Sequence, residues 1–163
     1  MRAFLAVLAM GFGISAVRSD EVKVELKDVP KGILETVMKR FPKAELIEAA
    51  KETDGDKVEF EVTLKVGETK YDVMLTPDGK ITLIEKTIGY LDLPKAVVLA
   101  VEKAYPMSKP KLAEEMTKVV EGKEVLAYYE VQILTADMKL LELEVSPEGK
   151  ILMTEDKSKE EKK

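Results

Sequence analysis

Two absences narrow the chemistry before any pattern is read. The 163-residue chain contains no cysteine and no histidine. Without cysteine there is no disulfide, thiolate metal site, cysteine nucleophile or lipid-modified N-terminal cysteine. Without histidine the commonest general base and the usual transition-metal ligand are gone, and with them any Ser-His-Asp relay. Carboxylate, lysine and tyrosine chemistry remain, or no chemistry at all. Basic residues are also in short supply: 26 Lys+Arg against 31 Asp+Glu give a formal net charge of −5. No cationic excess is left to neutralise phosphates, so neither nucleic acid nor an anionic membrane is an expected partner.

What is there supports a packed, well-solvated protein, with 45% hydrophobic and 35% charged residues. One long apolar stretch, Ala3 to Val17, follows Arg2 and precedes Arg18-Ser19. A bilayer span needs about 20 apolar residues, and this run is shorter. A positive charge, an apolar run of roughly 12–15 residues and small residues at its end fit a secretory signal peptide. Residues 1–19 are therefore read as a signal cut after Ala16 or Ser19. The expected product is exported to the periplasm or beyond, with no stable membrane insertion after cleavage.

The remainder is punctuated twice in the same way. Val29-Pro30-Lys31, a helical stretch and Phe41-Pro42 are matched by Leu93-Pro94-Lys95, a helical stretch and Tyr105-Pro106. Phe60-Glu61-Val62-Thr63-Leu64 is matched by Tyr129-Glu130-Val131-Gln132-Ile133, and Pro77-Asp78-Gly79-Lys80-Ile81 by Pro147-Glu148-Gly149-Lys150-Ile151. Such ordered self-similarity marks an internal duplication. Pro30 and Pro94 suit a helix start, where the missing N–H costs nothing. Ile33, Leu34, Val37, Met38 and Phe41 recur at helical spacing, as do Val97, Val98, Val101, Ala104 and Tyr105. Pro42 and Pro106 end both helices, because the residue before proline is pushed out of the α region.

Beyond the helices the period falls to two. Val58, Phe60, Val62 and Leu64 alternate with Glu59, Glu61, Thr63 and Lys65, and Tyr71, Val73 and Leu75 continue the pattern after Gly67. A further strand is expected through residues 44–51. The fold class is thus α+β: two tandem units, each a helix plus a four-stranded antiparallel sheet, with the helices packed on one sheet face. The expected limits are 20–88 for the first repeat, 89–154 for the second and 155–163 for a charged, frayed tail. Two such units would share one sheet, since a lone unit of about 65 residues has a thin core.

This order of elements resembles the PepSY-like family of exported bacterial proteins, whose fold is similar to that of beta-lactamase-inhibitor protein. The resemblance rests on Leu93-Pro94-Lys95-Ala96-Val97, Ala104-Tyr105-Pro106, the aromatic-Glu-Val strands and the Pro-Asp/Glu-Gly-Lys-Ile turns, over residues 22–154. It implies a secreted or periplasmic α+β protein that binds or inhibits another protein, such as a peptidase, and it brings no catalytic residues. The first copy departs at Gly32, where the second has Ala96, which weakens that helix by roughly 0.5–1 kcal/mol.

Candidate sites follow from the strand phases. Asp54, Asp56 and Glu59 fall short of a calcium loop and read as an ordinary hairpin, so no metal or cofactor is expected. Glu59 with Glu61, and Glu142 with Glu144, fall on a solvated strand face where nothing raises a carboxylate pKa. Tyr71 and Tyr129 fall in phase with the core. Tyr128, Leu134 and Leu140, with Leu152, alternate away from the core of the second copy, and Met74 does so in the first. An apolar patch on a sheet face otherwise open to water reads as a partner surface. The sequence therefore points to an exported, non-enzymatic binding protein using Tyr128, Leu134, Leu140 and Met74. The rival reading is a carrier of a small molecule or peptide in a cleft between the repeats.

Overall fold

The computed structural model describes residues 20–158; residues 1–19, expected to be a signal peptide, and residues 159–163, expected in the tail, lie outside the described residues. The fold is α+β, with nine antiparallel strands in one sheet, ordered as in the sequence, and two α-helices. Strand β1 (Asp20–Val24) precedes α1 (Lys31–Arg40), which is followed by β2 (Glu45–Asp54), β3 (Lys57–Val66), β4 (Thr69–Leu75) and β5 (Ile81–Thr87). Helix α2 (Lys95–Ala104) is followed by β6 (Lys109–Val120), β7 (Lys123–Leu134), β8 (Leu140–Val145) and β9 (Ile151–Asp156). A single 3₁₀ turn leads into each helix, at Leu26–Asp28 and Tyr90–Asp92.

The helices begin and end for the same local reasons. Pro30 and Pro94 occupy the cap position just before the first helical residue, one place earlier than the sequence suggests. At the other end the backbone N–H of Phe41 donates to Val37 and that of Tyr105 to Val101 before proline stops each helix. Ile33 and Val37 of α1 are buried against Val62, Leu64, Val73 and Leu75. Val97 and Val101 of α2 are buried against Val131, Ile133, Leu143 and Val145. Two members of the expected helical stripes lie outside these cores: Met38 and Ala104 are exposed, whereas Phe41 and Tyr105, further along, still pack on them.

Strand irregularities recur at matching places. β2 bulges between Leu46 and Glu48 against β3, and β6 between Pro110 and Leu112 against β7. β4 slips at Met74/Leu75 against β5, and β8 at Glu144/Val145 against β9. The glycines of the two Pro-x-Gly turns tuck under the helix starts, both at positive φ. A Cβ on Gly79 would lie 3.4 Å from the Gly32 carbonyl oxygen, and one on Gly149 only 2.4 Å from that of Ala96. Only glycine allows so close an approach.

Two expectations change. The sheet gains a ninth, edge strand, β1, paired antiparallel with β2. Residues 155–157, expected in the frayed tail, are held in the fold: Glu155 and Asp156 belong to β9 and the Lys157 ammonium lies 3.4 Å from Glu142. The halves join through β5 and β6, which pair from Leu83↔Lys118 to Thr87↔Glu114. This seam positions the candidate site.

Candidate functional site at the central sheet seam

Residues alternating with the core set form a second surface, and strand register decides which of them meet. Along β3 these are Glu59, Glu61, Thr63 and Lys65; on β4 they are Lys70, Asp72 and Met74. β5 adds Leu83 and Glu85, β6 adds Glu114, Met116 and Lys118, and β7 adds Tyr128, Glu130 and Gln132. Leu140, Glu142 and Glu144 of β8 continue the surface.

The expected partner residues fall into two groups. Tyr128 is half-buried and pairs with the buried Met116, which is a diagonal neighbour of Leu83 across the seam. Leu83 pairs in turn with Met74, which is itself buried. Met74, Leu83 and Lys118 line a shallow depression of about 260 Å³. The Lys118 ammonium sits 5.6 Å above the Tyr128 ring. Leu134 and Leu140 pair with each other at the far end of the β7–β8 ladder. At about 3.4 Å per residue, six residues of strand put them roughly 20 Å from Tyr128. Glu130, Gln132, Glu142 and Glu144 lie between. Leu152 is exposed beside the β8–β9 irregularity. The structure thus brings Tyr128 and Met74 into one apolar band, completed by Met116 and Leu83, and sets the Leu134–Leu140 pair apart.

Carboxylates dominate the surface between these patches. Asp72 is buried, accepts a hydrogen bond from Thr63 Oγ1 at 2.5 Å and is paired with Lys70 at 2.8 Å. Glu114 is buried and accepts from Thr87 Oγ1 at 3.1 Å. Gln132 Nε2 donates to Glu142 at 2.9 Å. Glu85 stands among Asp72, Glu114 and Glu61, and no described cation is paired with it. Burial, then the charges of Glu114, Glu61 and Asp72, push its carboxyl up to about 8. Burial and then Asp72 push Glu61 up to about 7. Glu114 is raised by burial, against the Thr87 hydrogen bond. Glu130 is raised by burial and by Glu142 beside it. Burial, then Glu144 and Glu130, keep the Tyr128 phenol protonated well above its ordinary range.

The expectation of an ordinary solvated carboxylate at Glu61 is therefore overturned: neighbouring side chains half-bury it and like charges crowd it. Glu85, Glu114 and Glu130 are the residues that sequence reasoning missed. Strand alternation could have flagged Glu130, whereas Glu85 and Glu114 meet only because β5 pairs with β6. One carboxylate oxygen each from Asp72, Glu85 and Glu114 lie within 4.8 Å of one another. Oxygen ligands suit a hard cation, but three fall short of the six to eight that calcium takes, and Lys70 already neutralises Asp72. Asp54, Asp56 and Glu59 do not form such a group among the described residues. Near the C-terminal end of α1, a cleft of about 440 Å³ opens over Phe41, Tyr71 and Ile84, rimmed by Lys86 and by the bidentate Arg40–Glu124 pair at 2.6 and 2.9 Å.

No family model matches the sequence, and no curated protein matches it. Solved structures do resemble the fold. A Bacteroides eggerthii protein described as periplasmic superposes with a TM-score of 0.67 at 14% identity, over 80% of this chain and 91% of its own. A BLIP-like protein from Bacteroides fragilis gives 0.60 at 17%, over 79% and 86%. A DUF2874 family protein from Bacteroides uniformis gives 0.65 at 12%, over 79% and 90%. At these identities the likeness concerns the fold, and the fold is BLIP-like.

Proposed function

We propose that the chain is an exported, non-catalytic binding protein that engages another envelope or secreted protein, such as a peptidase, through the sheet face carrying Tyr128 and the acidic seam. In this reading it is a tandem PepSY-like protein with both helices on the same side of the sheet. Ile84, in the core beneath α1, pairs with Thr117, which lies on the same side of β6 as Ala113, in the core beneath α2. The paired bulges support two copies of one unit, and the periplasmic description of the B. eggerthii neighbour supports export. The observation that carries the reading is the face itself. It combines an apolar band at Met74, Leu83, Met116 and Tyr128 with Glu61, Glu85, Glu114 and Glu130, which form no ion pair with a described lysine or arginine. The absence of histidine and cysteine from the sequence supports a non-enzymatic role.

The test is capture from an envelope extract by mature protein, beside a folded Tyr128→Ser/Leu140→Ser variant. A partner retained by the parent and lost by the variant supports the reading; retention by both removes the face from it. A second reading, a carrier of a small molecule or peptide, has one specific support, the 440 Å³ cleft, whose size falls within the usual range of ligand sites. Saturable binding of an anionic aromatic dye, lost on Ile84→Arg, would favour it.

A further inference from the structure

The open face is not evenly charged. Lys70 is held by Asp72, Lys57 by Glu59 and Lys23 by Glu48. Lys118 lies over the Tyr128 ring and Lys157 reaches Glu142 and Glu155 at the edge. None of these ion pairs includes Glu61, Glu85, Glu114 or Glu130. Glu114 accepts from a threonine hydroxyl and feels the Lys70 charge only at a distance, Glu130 has another carboxylate beside it, and Glu85 is surrounded by acids from β3, β4 and β6. Half-buried like charges repel strongly unless a counter-charge reaches them. The apolar band of Met74, Leu83, Met116 and Tyr128 runs alongside. A complementary surface therefore carries cations spaced across the strands, flanked by apolar side chains.

We propose that this face docks a cationic polypeptide segment, which sets lysine or arginine side chains over Glu61, Glu85, Glu114 and Glu130 and apolar side chains against Tyr128 and Met116. The inference rests on the sheet-face reading above and names the chemistry of the partner. It carries a second consequence. Glu85 is faced by Glu61 of β3, Asp72 of β4 with its Lys70, and Glu114 of β6; Glu130 is faced by Glu114 of β6 and by Glu142 and Glu144 of β8. Glu61 and Glu85 hold protons for part of the time at neutral pH. An arriving cation favours their ionised forms, so docking releases protons and tightens as pH rises from 6 to 9.

The experiment uses mature protein and a labelled dodecapeptide repeating Lys-Ser-Leu, beside its Gln-Ser-Leu and Glu-Ser-Leu counterparts, in fluorescence anisotropy titrations with EDTA present. The Lys peptide is expected to bind saturably, more weakly as salt rises, and the Glu peptide not to bind. The face variant Glu85→Gln/Glu114→Gln/Glu130→Gln should weaken binding at least about tenfold, the equivalent of a single lost charge pair. It is uncharged where the parent is partly protonated, so it retains the fold. The control variant Glu35→Gln/Glu102→Gln/Glu148→Gln makes the same three changes at exposed positions on the helices and a turn, removes at least as much charge, and should leave binding within about twofold. Equal weakening by both variants, or no binding of the Lys peptide, overturns the proposal. Equal binding of the Gln peptide, lost on Tyr128→Ser/Leu140→Ser, overturns the charge selection while leaving the sheet-face reading intact.

Discussion

Replacing Glu85 with glutamine should stabilise the protein at pH 9 and leave it nearly unchanged at pH 5. A carboxyl group whose pKa is higher in the folded than in the unfolded chain contributes stability that is fully present below the unfolded value. That contribution is lost as pH rises through the folded value. For Glu85 the window runs from the ordinary carboxylate range, 4.5, to about 8, and for Glu61 to about 7. Glu114 and Glu130, raised in the same direction, add to it. Groups pulled the other way, such as Glu124 by the Arg40 hydrogen bond and Asp137 by Thr135, act below the ordinary range, and their contribution is complete by pH 5. With no histidine in the chain, no other side chain ordinarily titrates between pH 5 and 8. Stability should therefore fall over the interval in which a histidine-containing protein often gains it.

The size follows from the same shift. At about 1.4 kcal/mol per pH unit, the ionisation of Glu85 costs the folded state on the order of 5 kcal/mol as a ceiling. Water reaching a sheet face screens much of that, which leaves about 1–3 kcal/mol. Glutamine keeps the shape of the protonated acid and cannot ionise, so at pH 9 the variant should gain about that amount over the parent. Urea unfolding followed by far-UV circular dichroism at pH 5, 7 and 9 measures it, with Glu35→Gln on exposed α1 surface as the charge-matched control. Parent stability that is flat or rising from pH 5 to 9 would refute the reasoning. So would a gain from Glu85→Gln that is as large at pH 5 as at pH 9.

Other consequences can be checked by the same denaturation. Gly149→Ala forces a Cβ to within 2.4 Å of the Ala96 carbonyl oxygen at a positive φ, and should cost at least about 1–3 kcal/mol. Gly32→Ala meets nothing within 4 Å and should add about 0.5–1 kcal/mol by restoring the helix propensity that Ala96 gives α2. A double-mutant cycle on Arg40 and Glu124, a bidentate but two-fifths exposed pair linking α1 to β7, should return about 0.5–1 kcal/mol of coupling that shrinks in molar salt.

Much of the fold was legible because its signals are local. The proline pairs bound both helices, and the period-two runs from Val58 and Tyr129 gave β3 and β7 with the buried set correctly phased. Strand β1 was not legible: Asp20–Val24 is five residues of mixed character, held by its pairing with β2 rather than by propensity. The acidic seam was hidden for a different reason. Glu85 and Glu114 are far apart in the chain and share no motif. They meet through the β5–β6 register, which is a property of sheet order and not of any window of sequence. The apolar patch was legible as a set of residues but not as a shape, because the phase of a strand gives the face and not the distance along it.

Comparing the two ladders residue by residue shows how the face acquires a direction. The Thr63–Asp72 pair of β3–β4 has its counterpart in the hydrogen-bonded Gln132–Glu142 pair of β7–β8. Glu61 and Glu130 stand at the same place in each ladder. One step further along, the cross-strand pair is Lys65–Lys70 in the first half and Leu134–Leu140 in the second. Two cations that temper the acids of the first ladder are thus replaced by two apolar side chains in the second. In the docking proposed above, a segment with cations along its length would be repelled at the Lys65–Lys70 end and accepted from Glu61 across the seam to Glu130. Its apolar groups find Tyr128 and the leucine pair only on the β7–β8 side. In that docking, the exchange of one lysine pair for one leucine pair would favour one orientation of the bound segment over its reverse.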